Sequence, residues 1–250
     1  MTAKKYIPPM WDLHLRLDDG RKVARDKSLG EGKLIYHFLP WSYALAIFQH
    51  NRLRFSPVAK WTDPYEKAWC DLLFQRKDKL SGVRTYGQCW TKSNFDEPLW
   101  RMFAFNNFEP IVRISCHVGT LINAGLRFIE DNMGSLYIGN VQYQPEKNLH
   151  LHAKTILAGE HKDVSRSACK FLLLKRNAFS FENEVRMLWF GRGKQGKELF
   201  FPIEASIDIS QVMTSPYATK ADHELITKDL KPYGIKPVRS GILWKPKFKQ

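Results

Sequence analysis

The run Phe181-Glu182-Asn183-Glu184-Val185-Arg186-Met187-Leu188-Trp189-Phe190 constrains the fold of this chain more than any other. As a strand, its alternation sets Glu182, Glu184 and Arg186 on one side. Phe181, Val185, Met187 and Trp189 then form the opposite, apolar side. Two carboxylates about 6–7 Å apart beside a guanidinium, on a strand backed by core, cost stability unless something uses them. One stays ionised against Arg186, and the other is free to meet a developing positive charge or a hydroxyl. On a helix, Glu182 and Arg186 would instead be an ordinary surface pair four residues apart. Val185 and Trp189 suit a sheet and Gly191 ends the run, which favours the strand.

Several such strands need a sizeable core, and 250 residues at 44% hydrophobic supply one. No apolar run of membrane-spanning length and no secretory signal is present, so no membrane partner is expected. Cys70, Cys89, Cys116 and Cys169 are widely spaced in apolar contexts, the pattern of reduced, mostly buried thiols in a cytoplasmic protein. Against 25 acidic residues stand 39 Lys and Arg, a net charge of +14 that favours polyanionic partners. Basic residues gather at both ends, as Lys4, Lys5, Arg21, Lys22, Arg25 and Lys27, then Lys245, Lys247 and Lys249. Such ends are often solvated arms.

Residues 1–33, broken by prolines and glycines, read as a basic N-terminal extension, with a single α+β domain over 34–250. Strands are expected at Leu34–Leu39, Leu53–Phe55, Tyr86–Thr91, Ile111–Val118, Leu136–Tyr143, Leu199–Ile203 and Ile207–Val212. Helices are expected after Ser42, from Asp63-Pro64, from Pro98, from Thr120, over Val164–Leu174 and near Ala221–Leu230. Strands and helices do not alternate regularly, which favours α+β over a doubly wound parallel sheet.

Two glycine-spaced fingerprints overlap in Gly191-Arg192-Gly193-Lys194-Gln195-Gly196-Lys197, but phosphate binding there needs a helix directly after the loop. Leu199-Phe200-Phe201-Pro202 reads as a strand, so the segment is a hairpin turn. His150 and His152 alternate like two ligands on one strand, yet nothing nearby completes a metal set. His37 lies among aliphatics, where a histidine is usually a satisfied core residue. Asp63 and Glu66 have the spacing of a capping box at a helix start. Trp90, Thr91, Trp100 and Arg101 place aromatics beside polar groups, suited to stacking on a planar ring as well as to core.

In order along the chain, several segments carry a resemblance: Tyr36-His37, Leu53-Arg54-Phe55-Ser56, Thr62-Asp63-Pro64-Tyr65-Glu66, Cys89-Trp90-Thr91, Leu99-Trp100-Arg101-Met102-Phe103-Ala104, and Phe179 through Arg186. The series resembles the bacterial family called domain of unknown function 2971, over roughly residues 34–215. It departs at Thr62, where the family has Asn, at Phe179, where it has Trp, and at Glu109-Pro110, where it has a small turn. The opening Tyr-His strand and the late Glu-x-Glu are, more distantly, similar to ADP-ribosyltransferase-like folds. That likeness implies a mixed, mostly antiparallel sheet core with flanking helices. It implies NAD as substrate, with Glu184 catalytic, Glu182 orienting the acceptor and His37 bonding the adenosine-side ribose. Tyr36, Asp63, Thr91, Trp100, Arg101 and Arg186 would complete the NAD site, and no metal is required.

The expected function is NAD-dependent transfer of ADP-ribose to a macromolecule, in a bacterial toxin or anti-phage effector. The basic charge favours nucleic acid as acceptor, and an acidic protein is the other candidate. A metal-dependent nuclease using Asp63, Glu66, Glu182 and Glu184 is a rival. A non-catalytic nucleic-acid-binding module is another. The account needs His37 and the Glu182/Glu184 pair to converge on one pocket.

Overall fold

A computed structural model describes residues 11–16, 21–68, 84–94, 97–104, 108–158, 164–191 and 198–243. Its strands in chain order are β1 (Trp11–Arg16), β2 (Lys22–Asp26), β3 (Leu34–Pro40), β4 (Arg52–Pro57), β5 (Arg84–Thr91), β6 (Ile111–His117), β7 (Gly134–Asn140), β8 (Gln142–Gln144), β9 (Leu174–Arg176), β10 (Glu184–Gly191), β11 (Leu199–Pro202), β12 (Gln211–Thr214) and β13 (Val238–Arg239). Nine of them follow the order β1-β2-β7-β10-β5-β3-β6-β12-β13, and β4 and β11 branch from β5. Pairing is antiparallel except at β2–β7, β12–β13 and the separate β8–β9 ladder. This is the α+β class that the element pattern favoured, with the mixed, mostly antiparallel sheet that the fold resemblance implied.

β10 lies at the centre, paired along its length with β5 on one edge and β7 on the other. Every residue of it is buried, which explains why its apolar run is continuous after Arg186. Val185, Met187 and Trp189 face one core, shared with the helices Trp41–His50 and Val118–Asp131. Leu188 and Phe190 face a second core with Cys169, Phe171 and Leu172. Glu184 and Arg186 share that second face by alternation.

The N-terminal stretch is not a separate arm from Arg21 onward. β2 joins the main sheet parallel to β7, and Val23 is fully buried in the first core. Arg21 Nη1 donates to the carbonyls of Ile129 and Glu130 at 2.6 Å, where a helix end leaves acceptors unsatisfied. Part of the basic N-terminus is therefore committed inside the molecule. Lys4, Lys5 and the basic C-terminal residues lie outside the described residues, as do Cys70 and residues 192–197, where a hairpin turn was expected.

Other elements differ from expectation for local reasons. Leu136–Tyr143 divides into β7 and β8, which belong to different sheets. Residues 207–208 are helical, because Asp208 accepts from the Glu204 amide and Asn51 from the Ala205 amide. His150 and His152 fall on the helix Glu146–Ala158, not on a strand, so the paired-ligand pattern dissolves.

Candidate active site

The expected strand from Phe181 begins only at Glu184. Asn177–Glu182 form a 3₁₀ helix, and Asn183 turns the chain at φ 44°, a left-handed conformation asparagine tolerates better than most residues. Glu182 therefore leaves the strand, and Phe181 is exposed instead of lining the core. The common face predicted for three charged residues holds for Glu184 and Arg186 alone.

Glu182 nonetheless returns to the same cluster through Lys175 on β9. Lys175 Nζ bonds Glu182, lies 3.4 Å from Glu184 and 3.9 Å from Glu66. Arg186, 1% exposed, bonds Glu66, lies 2.8 Å from Glu184, and donates to the Leu172 carbonyl at 2.6 Å. Its guanidinium also covers the Trp61 ring at 4.6 Å. The Glu184 amide donates to the Tyr143 hydroxyl at 2.8 Å, which fixes the strand start.

Burial pushes the Glu184 carboxyl up, but Arg186 and Lys175 outweigh it and hold the group ionised, below its ordinary range. For Glu182 burial wins over Lys175, and its pKa is raised. Two adjacent acids thus stand in different states of readiness: one fixed as a carboxylate, the other more ready to hold a proton.

Cross-strand register adds a second constraint. Thr91 on β5 sits directly opposite Glu184 on β10, and on its other edge directly opposite Tyr36 on β3. Residues opposite one another share a face, so Tyr36, Thr91 and Glu184 form one row across three neighbouring strands. The Thr91 hydroxyl donates to the Glu182 carbonyl at 2.6 Å and ties the 3₁₀ turn to the row. His37, next to Tyr36, necessarily faces the other way and packs against Trp90 at 5.4 Å.

Beside that row the sheet forks. β5 pairs with β3 only at Thr91 and with β4 only at Gly87 and Tyr86, so Gln88, Cys89 and Trp90 have no strand partner on that edge. The gap is a cleft of about 580 Å³, within the range of small-ligand sites. His37, Phe38, Gln88, Cys89 and Trp61 line its inner part. Trp61 packs on Gly87, where a Cβ would stand 2.5 Å from its ring. Desolvation holds the His37 imidazole down to about 4 against a hydrogen bond to the Cys89 backbone, so it is neutral near pH 7. Glu184 is not among the described residues lining the cleft, and the expected direct convergence with His37 is absent. Cys89 connects them: the residue lines the cleft, while its side chain lies on the Glu184 face, opposite Arg186, with the thiol bonded to Glu184.

The remaining expected residues divide. Asp63 caps the helical turn at 64–68, accepting from the Tyr65 amide at 2.8 Å, and pairs with Arg176 at 3.1 Å. Glu66 forms no capping box; its carboxylate serves Arg186 and Lys175. Trp100 is 1% exposed, locked edge-on against Phe38 in a small core, with no ring face open to a ligand. Arg101 is a surface residue paired with Glu97. Lys175 and Cys89 escaped the sequence reading as members of this cluster, and Glu66 was grouped with Glu182 and Glu184 only as a metal ligand of the rival nuclease. The accessible signal was Lys175-Arg176 at the end of the apolar run Phe171–Leu174, two cations placed where a core segment stops.

Among the described residues no group of three His, Cys, Asp or Glu side chains could hold a metal, and no helix is long and apolar enough to cross a membrane. Asp63, Glu66 and Glu184 are engaged by cations of the protein itself.

No protein-family model and no curated protein matches the chain, so the family resemblance finds no support there. Solved structures of Thermus sp. 2.9 DarT show a slight likeness. The complex with ADP-ribosylated ssDNA is 12% identical with a TM-score of 0.37, covering 84% of this chain and 94% of that one. The complex with carba-NAD+ gives 12% and 0.37, and that with NAD+ 10% and 0.37, each covering 84% of this chain and 95% of the other. Similarity of that degree fixes neither substrate nor mechanism.

Proposed function

We propose that this protein is an NAD-dependent ADP-ribosyltransferase that modifies a macromolecule of the nucleic-acid class. The observation that carries the reading is the Tyr36–Thr91–Glu184 row beside a forked-sheet cleft. It supports the order of motifs expected from sequence, with Tyr36 in place of His37 on the face of the acid. The net charge of +14 supports a polyanionic acceptor.

In this reading NAD occupies the cleft, its nicotinamide carboxamide taking the place of the His37 imidazole on the Cys89 backbone. The ribose lies at Cys89, where its hydroxyl replaces the thiol as donor to Glu184. The bond from ribose C1′ to the nicotinamide nitrogen breaks, and its electron pair leaves with nicotinamide. The carboxylate of Glu184 stabilises the positive charge developing on the ribose. Glu182 positions the acceptor and receives its proton as the new C1′ bond forms. Lys175 and Arg186 keep Glu184 charged while water is excluded.

Labelled NAD incubated with RNA, DNA and protein mixtures tests the proposal. Transfer of label to nucleic acid by the wild type, lost in Glu184→Gln, supports it. Label transfer that persists in Glu184→Gln removes the catalytic assignment. Salt-sensitive binding to nucleic acid with no transfer leaves only a binding module.

A further inference from the structure

The mouth of the cleft carries side chains that the reaction at Glu184 does not use. β11 pairs with β4 so that Phe200 stands opposite Arg54, and Arg52 follows on the same face. The Arg52 guanidinium lies over the Phe200 ring at 4.0 Å, and that of Arg54 over the Tyr43 ring at 5.3 Å. Tyr43 and Phe200 are 50% and 40% exposed, although large rings of this size normally contribute to core. His50 and Glu198 complete the rim, and Glu198 ion-pairs Arg54. β4, β11 and the helix Trp41–His50 fix this array of planar groups, so little ordering is needed when something lies on it.

We propose that this mouth is a docking surface for single-stranded nucleic acid, with unpaired bases stacking on the Tyr43 and Phe200 platforms and Arg52 and Arg54 taking the phosphates. This rests on the proposed transferase only for what the surface delivers. A duplex keeps its base faces inside its own stack and cannot use exposed rings. An acidic protein would satisfy the arginines and leave both rings idle. Glu198 opposes a phosphate at Arg54 and sets a penalty that binding must overcome.

Fluorescence anisotropy of the full chain with a labelled oligothymidine strand, in the absence of NAD, tests the surface. The single strand is expected to bind, more weakly as salt rises. Phe200→Ala should weaken binding roughly five-fold or more. Arg52→Ala should weaken it and reduce the salt slope by about one. Glu198→Gln should tighten it, a gain that misfolding cannot mimic. A duplex or polyglutamate bound as tightly as the strand would overturn the assignment, as would wild-type affinity in all three variants. Binding through this mouth without any transfer would sink the reaction and leave the surface standing. Transfer with no binding at the mouth would do the reverse.

Discussion

Glu184 owes its charge to two cations that are themselves buried, so chemistry and stability are coupled at single residues. Glu184→Gln keeps the shape and removes the charge, and transfer should fall by about 10²–10³-fold, the scale of losing one stabilising group in a transition state. Initial rates of label transfer measure it. Arg186→Met leaves Glu66 and Glu184 facing each other in a buried site, and should cost about 3–5 kcal/mol in chemical denaturation. His37 supplies a pH signature. Its folded pKa of about 4 lies below the ordinary 6.5, so as pH falls through that window the unfolded chain takes up a proton first. Stability should therefore decline between about pH 6.5 and 4 by up to about 3 kcal/mol. His37→Gln should flatten that part of the melting-temperature profile. Glu184 acts in the same direction at lower pH: its stabilisation is present above the ordinary carboxylate range and lost as acid protonates it in the folded state.

The fork in β5 places two strands and a tryptophan around one opening. Gly87→Ala would force a methyl group into the Trp61 ring, which already carries Arg186 on its surface. The substitution should destabilise by about 1–3 kcal/mol, the cost of overpacking a filled site, and should weaken NAD binding measured by calorimetry. These elements were unequally legible in the sequence. β6 could be read from the alternation of Ile111–Val118, and β3 from an apolar run closed by Pro40. The start of β10 could not. Phe181 and Glu182 continue the alternation of the strand, and only the left-handed turn at Asn183, held through the Thr91–Glu182 hydrogen bond, interrupts it. The pairing of Glu66 with Arg186 was hidden for a different reason. They lie 120 residues apart, and no local pattern encodes the meeting of a helix turn with a distant strand.

At the scale of the whole molecule, the sheet turns three separated sequence motifs into one row and opens a cleft beside it. The basic excess then belongs to two populations. Some cations are committed to the protein's own acceptors, as with Arg21, Lys175 and Arg186, while Arg52 and Arg54 remain at the cleft mouth. Reading the total charge as a preference for polyanions and the basic ends as solvated arms missed that division, because composition does not distinguish a buried guanidinium from an exposed one. The central claim is that the NAD ribose sits between the cleft and Glu184. A crystal structure of Glu184→Gln with NAD tests it most directly. NAD is expected in the fork between β3 and β5, with its nicotinamide ribose at Cys89 and residue 184 within hydrogen-bond reach of a ribose hydroxyl. NAD bound elsewhere, or a ribose facing away from the Tyr36–Thr91–Glu184 row, would contradict it.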